Sequence, residues 1–229
     1  MVSTVPTWTK IRRLFTEPEI ARRALRTRLT RFGRLLRNRL AIDTPLRTED
    51  RRVLERIIFA HYASDPAIET VLFVGCEWYT AHYGRRHFAR HNYWTIDPEM
   101  NRRQFGARRH VVARLEELQR YFPRNFFDLI ICNGVYGWGL DRAEDFDAAM
   151  AQCHACLRDR GHLLFGWNDV PQRDPAPLSN VHGLARFSRY SFPPFGTWRY
   201  RITNTPDRHT YDFYQKKERL EFKAPQSRR

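Results

Sequence analysis

VLFVGCEWYT, residues 71–80, is the stretch on which the fold turns. An apolar run ending in a glycine suits a buried strand that enters a tight turn, because glycine reaches φ > 0 without steric cost. Strands of this kind open cofactor-binding βα units, in which backbone N–H groups approach the ligand. A phosphate-binding loop would add further glycines, whereas this turn carries Glu77, Trp78 and Tyr79. Whether it holds a cofactor therefore depends on what lies around it.

Downstream the chain alternates. NYWTID (92–97), RHVVA (109–113), FFDLIICNGV (126–135) and GHLLFGW (161–167) are strand-like, and AEDFDAAMAQCHACLRD (143–159) is helical before the last of them. Upstream, residues 48–63 have helical spacing, with Leu54, Ile57, Ile58 and Tyr62 on one face. This order predicts an α/β fold: a doubly wound, mostly parallel sheet with N-terminal helices. The runs TWRYRIT (197–203) and HTYDFYQ (209–215), separated by NTPDR, predict a C-terminal antiparallel hairpin at the sheet edge. Between them and Trp167 lies a proline-rich connection.

Doubly wound sheets bind ligands beyond the carboxyl ends of their strands, so the residues there are the candidates. The first strand is followed by Gly75, Cys76, Glu77, Trp78 and Tyr79, and the second ends at Asp97 before Pro98. The fourth ends at Asn133, Gly134 and Tyr136, and the fifth at Asn168 and Asp169. Asp97 stands 22 positions after Gly75, a spacing at which a carboxylate reaches ribose hydroxyls; it also suits a helix N-cap. Asn133, Tyr136 and Asp169 are the expected catalytic residues, with Trp138 and Asn168 nearby; His209 and Tyr211 on the last strand are open to either a substrate-lining or a surface role.

Taken in order, VLFVGC, YWTIDPE, FFDLIICNGVYGWGL and CLRDRGHLLFGW resemble four motifs of the class I S-adenosylmethionine-dependent methyltransferases, over about Val71 to Val170. The resemblance implies a Rossmann-like domain that binds S-adenosyl-L-methionine and transfers its methyl group. It places Gly75, Cys76, Glu77, Trp78, Tyr79, Asp97, Pro98, Leu115 and Asn133 at the cofactor, with Asp97 on the ribose. The chain departs from the family at Phe73, usually acidic, at Glu77 and Tyr79, usually glycine, and at Arg114–Leu115, where an aspartate often reaches the adenine. A cationic cofactor gives these departures a physical sense: Glu77 can pair with its ammonium, and Trp78 or Tyr79 can face its sulfonium in a cation–π contact. The expected acceptor is a small molecule. RNA methylation, a non-methylating use of S-adenosylmethionine and a non-catalytic basic module are the alternatives.

The chain has 229 residues and a net charge of +15, with 36 arginines among its 40 basic residues. Between residues 10 and 40, eleven basic side chains face only Glu17 and Glu19. Thr16, Pro18 and Glu19 make a helix start, and Ala21, Leu25, Leu29, Phe32, Leu36 and Leu40 form an apolar stripe beneath an arginine-rich face. This predicts an amphipathic extension over 1–45, apart from the cofactor domain over 46–229, serving as a lid, an anionic-membrane helix or a nucleic-acid arm. Without a secretory h-region or an 18-residue apolar run, the expected location is cytoplasmic, peripheral at the membrane if the basic helix binds lipid. Four cysteines suit a reducing compartment. Cys153-x-x-Cys156 has no second ligand pair at zinc-site spacing and reads as a helix face, so no metal site is expected.

Overall fold

Strand β1 (Thr70–Val74) is buried at every position, as expected of a strand covered on both faces. The computed structural model describes residues 29–30, 33, 45–173, 178 and 181–217. β1 lies at the centre of an eight-stranded sheet with β2 (Asn92–Asp97), β3 (Arg109–Val112), β4 (Phe127–Asn133), β5 (Leu157–Asn168), β6 (Ser188–Arg189), β7 (Arg199–Arg201) and β8 (His209–Gln215). The order is β3-β2-β1-β4-β5-β8-β6, and β7 also pairs with β8. Strands β1 to β5 are mutually parallel, while β8 runs antiparallel to β5, β6 and β7.

The two-residue period of the strands sorts their side chains into two cores. Leu72, Val74, Ile130, Cys132, Leu163 and Phe165 face one side, where they meet Phe146, Ala149, Met150 and Cys153 of helix α4 (Ala143–Cys156). Val71, Phe73, Leu129, Ile131, Leu164 and Phe213 face the other, against Val53, Leu54, Ile58, Phe59 and Tyr62. These last residues come from an uninterrupted helical run: α1 (Glu49–Val53), a π-helical turn (Leu54–Ile58) and α2 (Phe59–Ser64). Ile57, expected on its buried face, is 38% exposed. The π turn is wider than 3.6 residues, which takes this position out of the stripe.

Two further expectations are corrected. The helix after the cofactor turn is only α3 (Tyr83–Arg86), preceded by eight turn and loop residues from Gly75 to His82. The helix expected over 143–159 stops at Cys156: Leu157 has ψ 141° and pairs with Phe127 as the start of β5. Cys153 and Cys156 are buried free thiols, raised in pKa by burial. The C-terminal hairpin is present as β7 and β8, and β6 adds a pairing from the connection read as loop.

The chain divides into two units, Met1–Thr44 and Pro45–Arg229. In the first, residues 29, 30 and 33 are helical; the remainder of the basic helix over 10–40 lies outside the described residues. Among the described residues no helix is long and apolar enough to cross a membrane.

Candidate active site

The strand order reverses between β1 and β4, and a cavity of about 1030 Å³ opens at their carboxyl ends. Its walls come from the Gly75 turn, the end of β2, residues 113–116, the loop after β4, the start of α1, and Thr205, Pro206, Asp207 and His209 near the β7–β8 hairpin.

The turn is built around Gly75, with φ +81°. A Cβ there would lie 2.7 Å from Val135 Cγ1, so both backbone angle and space demand glycine. Gly75 N–H donates to the Ile96 carbonyl at 2.9 Å. Cys76 N–H donates to Asp97 Oδ2 at 2.7 Å, and Glu99 N–H to Asp97 Oδ1 at 2.8 Å. Asp97 is thus both a wall of the cavity and the clasp between the first two strand ends. Cys76 is buried, is not a lining residue, and has its thiol pushed up to about 12 by burial and by Asp97.

Glu77, Trp78 and Tyr79 line the cavity, as do Pro98, Leu115 and Asn133. Glu77 has a partner that the sequence reading did not identify: Arg102 Nη1 lies 2.7 Å from Oε1. Trp78 and Tyr79 meet edge to face, centroids 5.4 Å apart. Arg114 is engaged by Glu116 and Asp145 at the rim.

Arg51, on α1, is the cavity residue that sequence reasoning missed most plainly. It is 7% exposed, its guanidinium carbon lies 4.9 Å from the Tyr79 ring centroid, and Nη1 lies 3.5 Å from the Tyr83 hydroxyl. Asp50, its chain neighbour, lies 3.3 Å from Nε. The buried guanidinium keeps its charge at any physiological pH. In sequence it sits in TEDRRVLERI, indistinguishable from a solvated helix turn. Tyr211, weighed as substrate-lining, is instead fully buried; its hydroxyl donates to the Asp50 carbonyl at 2.7 Å and holds α1 against the sheet.

At the end of β4 a buried polar chain runs from Asn133 through His209 to Asn168, all three lining the cavity. Burial, helped by Arg51, lowers the pKa of His209 to about 4, so the ring is neutral and has a single N–H. His209 Nδ1 lies 2.6 Å from Asn168 Oδ1, and the single N–H donates to one of the two flanking amides. Nε2 lies 3.0 Å from Asn133 Oδ1. Gly166 makes the room: a Cβ there would lie 1.8 Å from Asn133 Oδ1 and 3.1 Å from His209 Nε2.

Tyr136 lines the cavity but is 1% exposed, packed edge to face with Phe146, Phe165 and Trp167. Asp169 is not a lining residue; its carboxylate is engaged by Arg201 and Arg208. Trp138, 59% exposed, lines the mouth, with the Arg173 guanidinium 3.5 Å from its ring centroid.

Residues 72–165 match the family model described as Methyltransferase domain. The matched span runs from β1 into β5, and the fold is the Rossmann-like fold of the class I S-adenosylmethionine-dependent methyltransferases. Among solved structures, the chain is similar to the N-methyltransferase NodS from Bradyrhizobium japonicum WM9 (14% identity, 74% of this chain, 97% of that one, TM-score 0.56). It is similar to the same protein in complex with S-adenosyl-L-homocysteine (15%, 75% and 94%, TM-score 0.52). TrmN from Thermus thermophilus aligns with 72% of this chain and 48% of its own, at 15% identity and TM-score 0.53. No curated protein matches the sequence.

Proposed function

We propose that this chain is an S-adenosylmethionine-dependent methyltransferase acting on a small-molecule acceptor, with cofactor and acceptor sharing the cavity at the carboxyl ends of β1, β2 and β4. The observation that carries the reading is one space of about 1030 Å³ lined by the buried Arg51 guanidinium, by the carboxylates of Glu77 and Asp97 among others, and by an apolar wall. Single small-ligand sites span roughly 300–1,000 Å³, so this volume leaves room for an acceptor beside the cofactor.

The donor set suits S-adenosylmethionine. Arg51 is the partner for its carboxylate, and Glu77 has lone pairs for its ammonium besides those used by Arg102. The carboxylate of Asp97 has remaining lone pairs for the ribose hydroxyls beside the two backbone N–H groups. Ile96, Pro98 and Leu115 supply an apolar wall for the adenine. When bound, the cofactor supplies a methyl group made electrophilic by its sulfonium.

The chain's own contribution is placement. The Asn133–His209–Asn168 chain fixes the end of β4, and neutral His209 adds no positive charge where a cationic cofactor is received. Trp78 and Trp138 offer apolar faces to an acceptor, and holding two reactants in one cavity supplies most of the rate effect in such transfers. A cytoplasmic location agrees with four free thiols. The basic segment over 10–40 is assigned to attachment at anionic lipid or RNA, or to a lid.

Calorimetric titration with S-adenosylmethionine and S-adenosylhomocysteine tests the cofactor, with one equivalent of each expected to bind. Incubation with methyl-labelled cofactor and a total cell extract tests the acceptor. Label is expected in the small-molecule fraction; label confined to RNA would overturn the acceptor class while leaving the cofactor reading intact.

A further inference from the structure

Outside the cavity, Glu55, His82 and His87 bring their ligand atoms within 4.8 Å of one another. Glu55 comes from the π-helical turn, and the two histidines flank α3. None lines the large cavity. We propose that these three residues bind a divalent transition-metal ion of the zinc class, as a two-histidine, one-carboxylate site that leaves a position for water.

The distances favour coordination over direct hydrogen bonding. Glu55 Oε2 lies 3.5 Å from His82 Nε2 and 3.6 Å from His87 Nε2. Charge-assisted N–H···O bonds close to about 2.7–2.9 Å, so the His82 contact is a long, weak hydrogen bond and the His87 contact at 3.6 Å is none. Around a tetrahedral ion with ligand bonds of about 2.0–2.1 Å, neighbouring ligand atoms stand roughly 3.3 Å apart. The observed separations lie near that edge length, so a small inward movement of the three side chains would enclose an ion.

Burial gives the second argument. His82 is 2% exposed, while the side chains of Glu55 and His87 are each 15% exposed. Glu55 Oε1 and His87 Nε2 are buried atoms without a hydrogen-bond partner. Unsatisfied carboxylate and imidazole atoms are costly in a protein interior, and a divalent ion satisfies both at once. The chemistry of the set is borderline in softness: imidazole nitrogen with one carboxylate suits zinc, cobalt or ferrous iron, whereas magnesium and calcium select all-oxygen sites.

The location gives the ion a task. Glu55 stands four residues after Arg51 in one helical run, and His82 closes the loop that carries Glu77, Trp78 and Tyr79. An ion here ties the helix bearing the buried guanidinium to the far end of the cofactor turn. The site stands whether or not the cavity takes S-adenosylmethionine.

The test uses the full chain without a histidine tag, stripped with chelator and titrated with Co²⁺, then Zn²⁺. One equivalent of Co²⁺ is expected to give the visible absorption of a four- or five-coordinate ion, displaced by Zn²⁺, with an upward thermal shift that EDTA reverses. Glu55→Gln keeps the shape of the side chain and is expected to abolish the absorption and the shift, and His87→Gln to do the same. Absence of stoichiometric Co²⁺ and Zn²⁺ binding by the folded wild-type chain would overturn the proposal and leave an ion-paired cluster. Equal binding by folded wild type and Glu55→Gln would overturn it as well.

Discussion

Asp97 Oδ2 accepts the backbone N–H of Cys76 at 2.7 Å, so the carboxylate at the end of β2 directly holds the turn that follows β1. The other oxygen caps Glu99. Replacing Asp97 by Ala leaves two N–H groups without an acceptor, at about 1–3 kcal/mol for each that stays buried. Denaturant unfolding is expected to shift by that amount, and S-adenosylhomocysteine affinity to fall further than stability alone accounts for. Loss of stability with unchanged affinity would reduce Asp97 to a clasp.

Gly75→Ala combines a strained φ with a steric conflict. The positive φ of a non-glycine residue costs about 1–3 kcal/mol, and the added methyl meets Val135 Cγ1. In the Gly75→Ala, Val135→Ala double variant the contact is relieved and the backbone cost remains. Chemical denaturation of the four proteins is therefore expected to show partial rescue, and full rescue would mean that φ is not a constraint.

Arg51 can be tested by what it should fail to affect. Arg51→Met removes a charged partner of the cofactor carboxylate, a loss of about 1.5–3 kcal/mol, or roughly 10- to 150-fold in S-adenosylhomocysteine affinity. Affinity for 5′-methylthioadenosine, which has no amino-acid portion, is expected to change little. An equal fall for both ligands would show that Arg51 shapes the cavity and does not hold the carboxylate.

His209 predicts a direction for pH. Its pKa is held at about 4 by burial and Arg51, with Asp50 opposing, while an unfolded histidine titrates near 6.5. The native state therefore binds fewer protons between these values, and stability present above pH 6.5 is lost as pH falls toward 4. The slope for one such group approaches about 1.4 kcal/mol per pH unit. His209→Gln is expected to flatten this part of the stability profile, measured by urea unfolding at stepped pH.

Gly166→Ala would place a methyl 1.8 Å from Asn133 Oδ1, forcing that side chain to move. Turnover with labelled cofactor is expected to drop sharply, while S-adenosylhomocysteine binding weakens less. Wild-type turnover would remove Asn133 from the set of positioning residues.

The strands were legible because central parallel strands are buried on both faces and form apolar runs with clear ends; β2 was read to the residue. Asp97, Asn133 and the Gly75 turn followed from those ends. Arg51 was not legible, because its burial comes from tertiary packing: Tyr211 pins α1, and the Tyr79 ring covers the guanidinium. Asp169 sits at a strand end, as the reading required, but Arg201 and Arg208, close in space and distant in sequence, take up its carboxylate. Glu55, His82 and His87 left no spacing signal, since the π turn and a 27-residue separation join them only in three dimensions.

The far side of β8 is shared by two fragments, β6 with two residues and β7 with three. A long uncovered margin would be a template on which another chain could extend the sheet. Here each fragment offers too few free N–H and C=O groups to seed that growth, and Arg189 adds charge along it. The hairpin that completes the cavity wall thereby also leaves the sheet without a long open edge on that side.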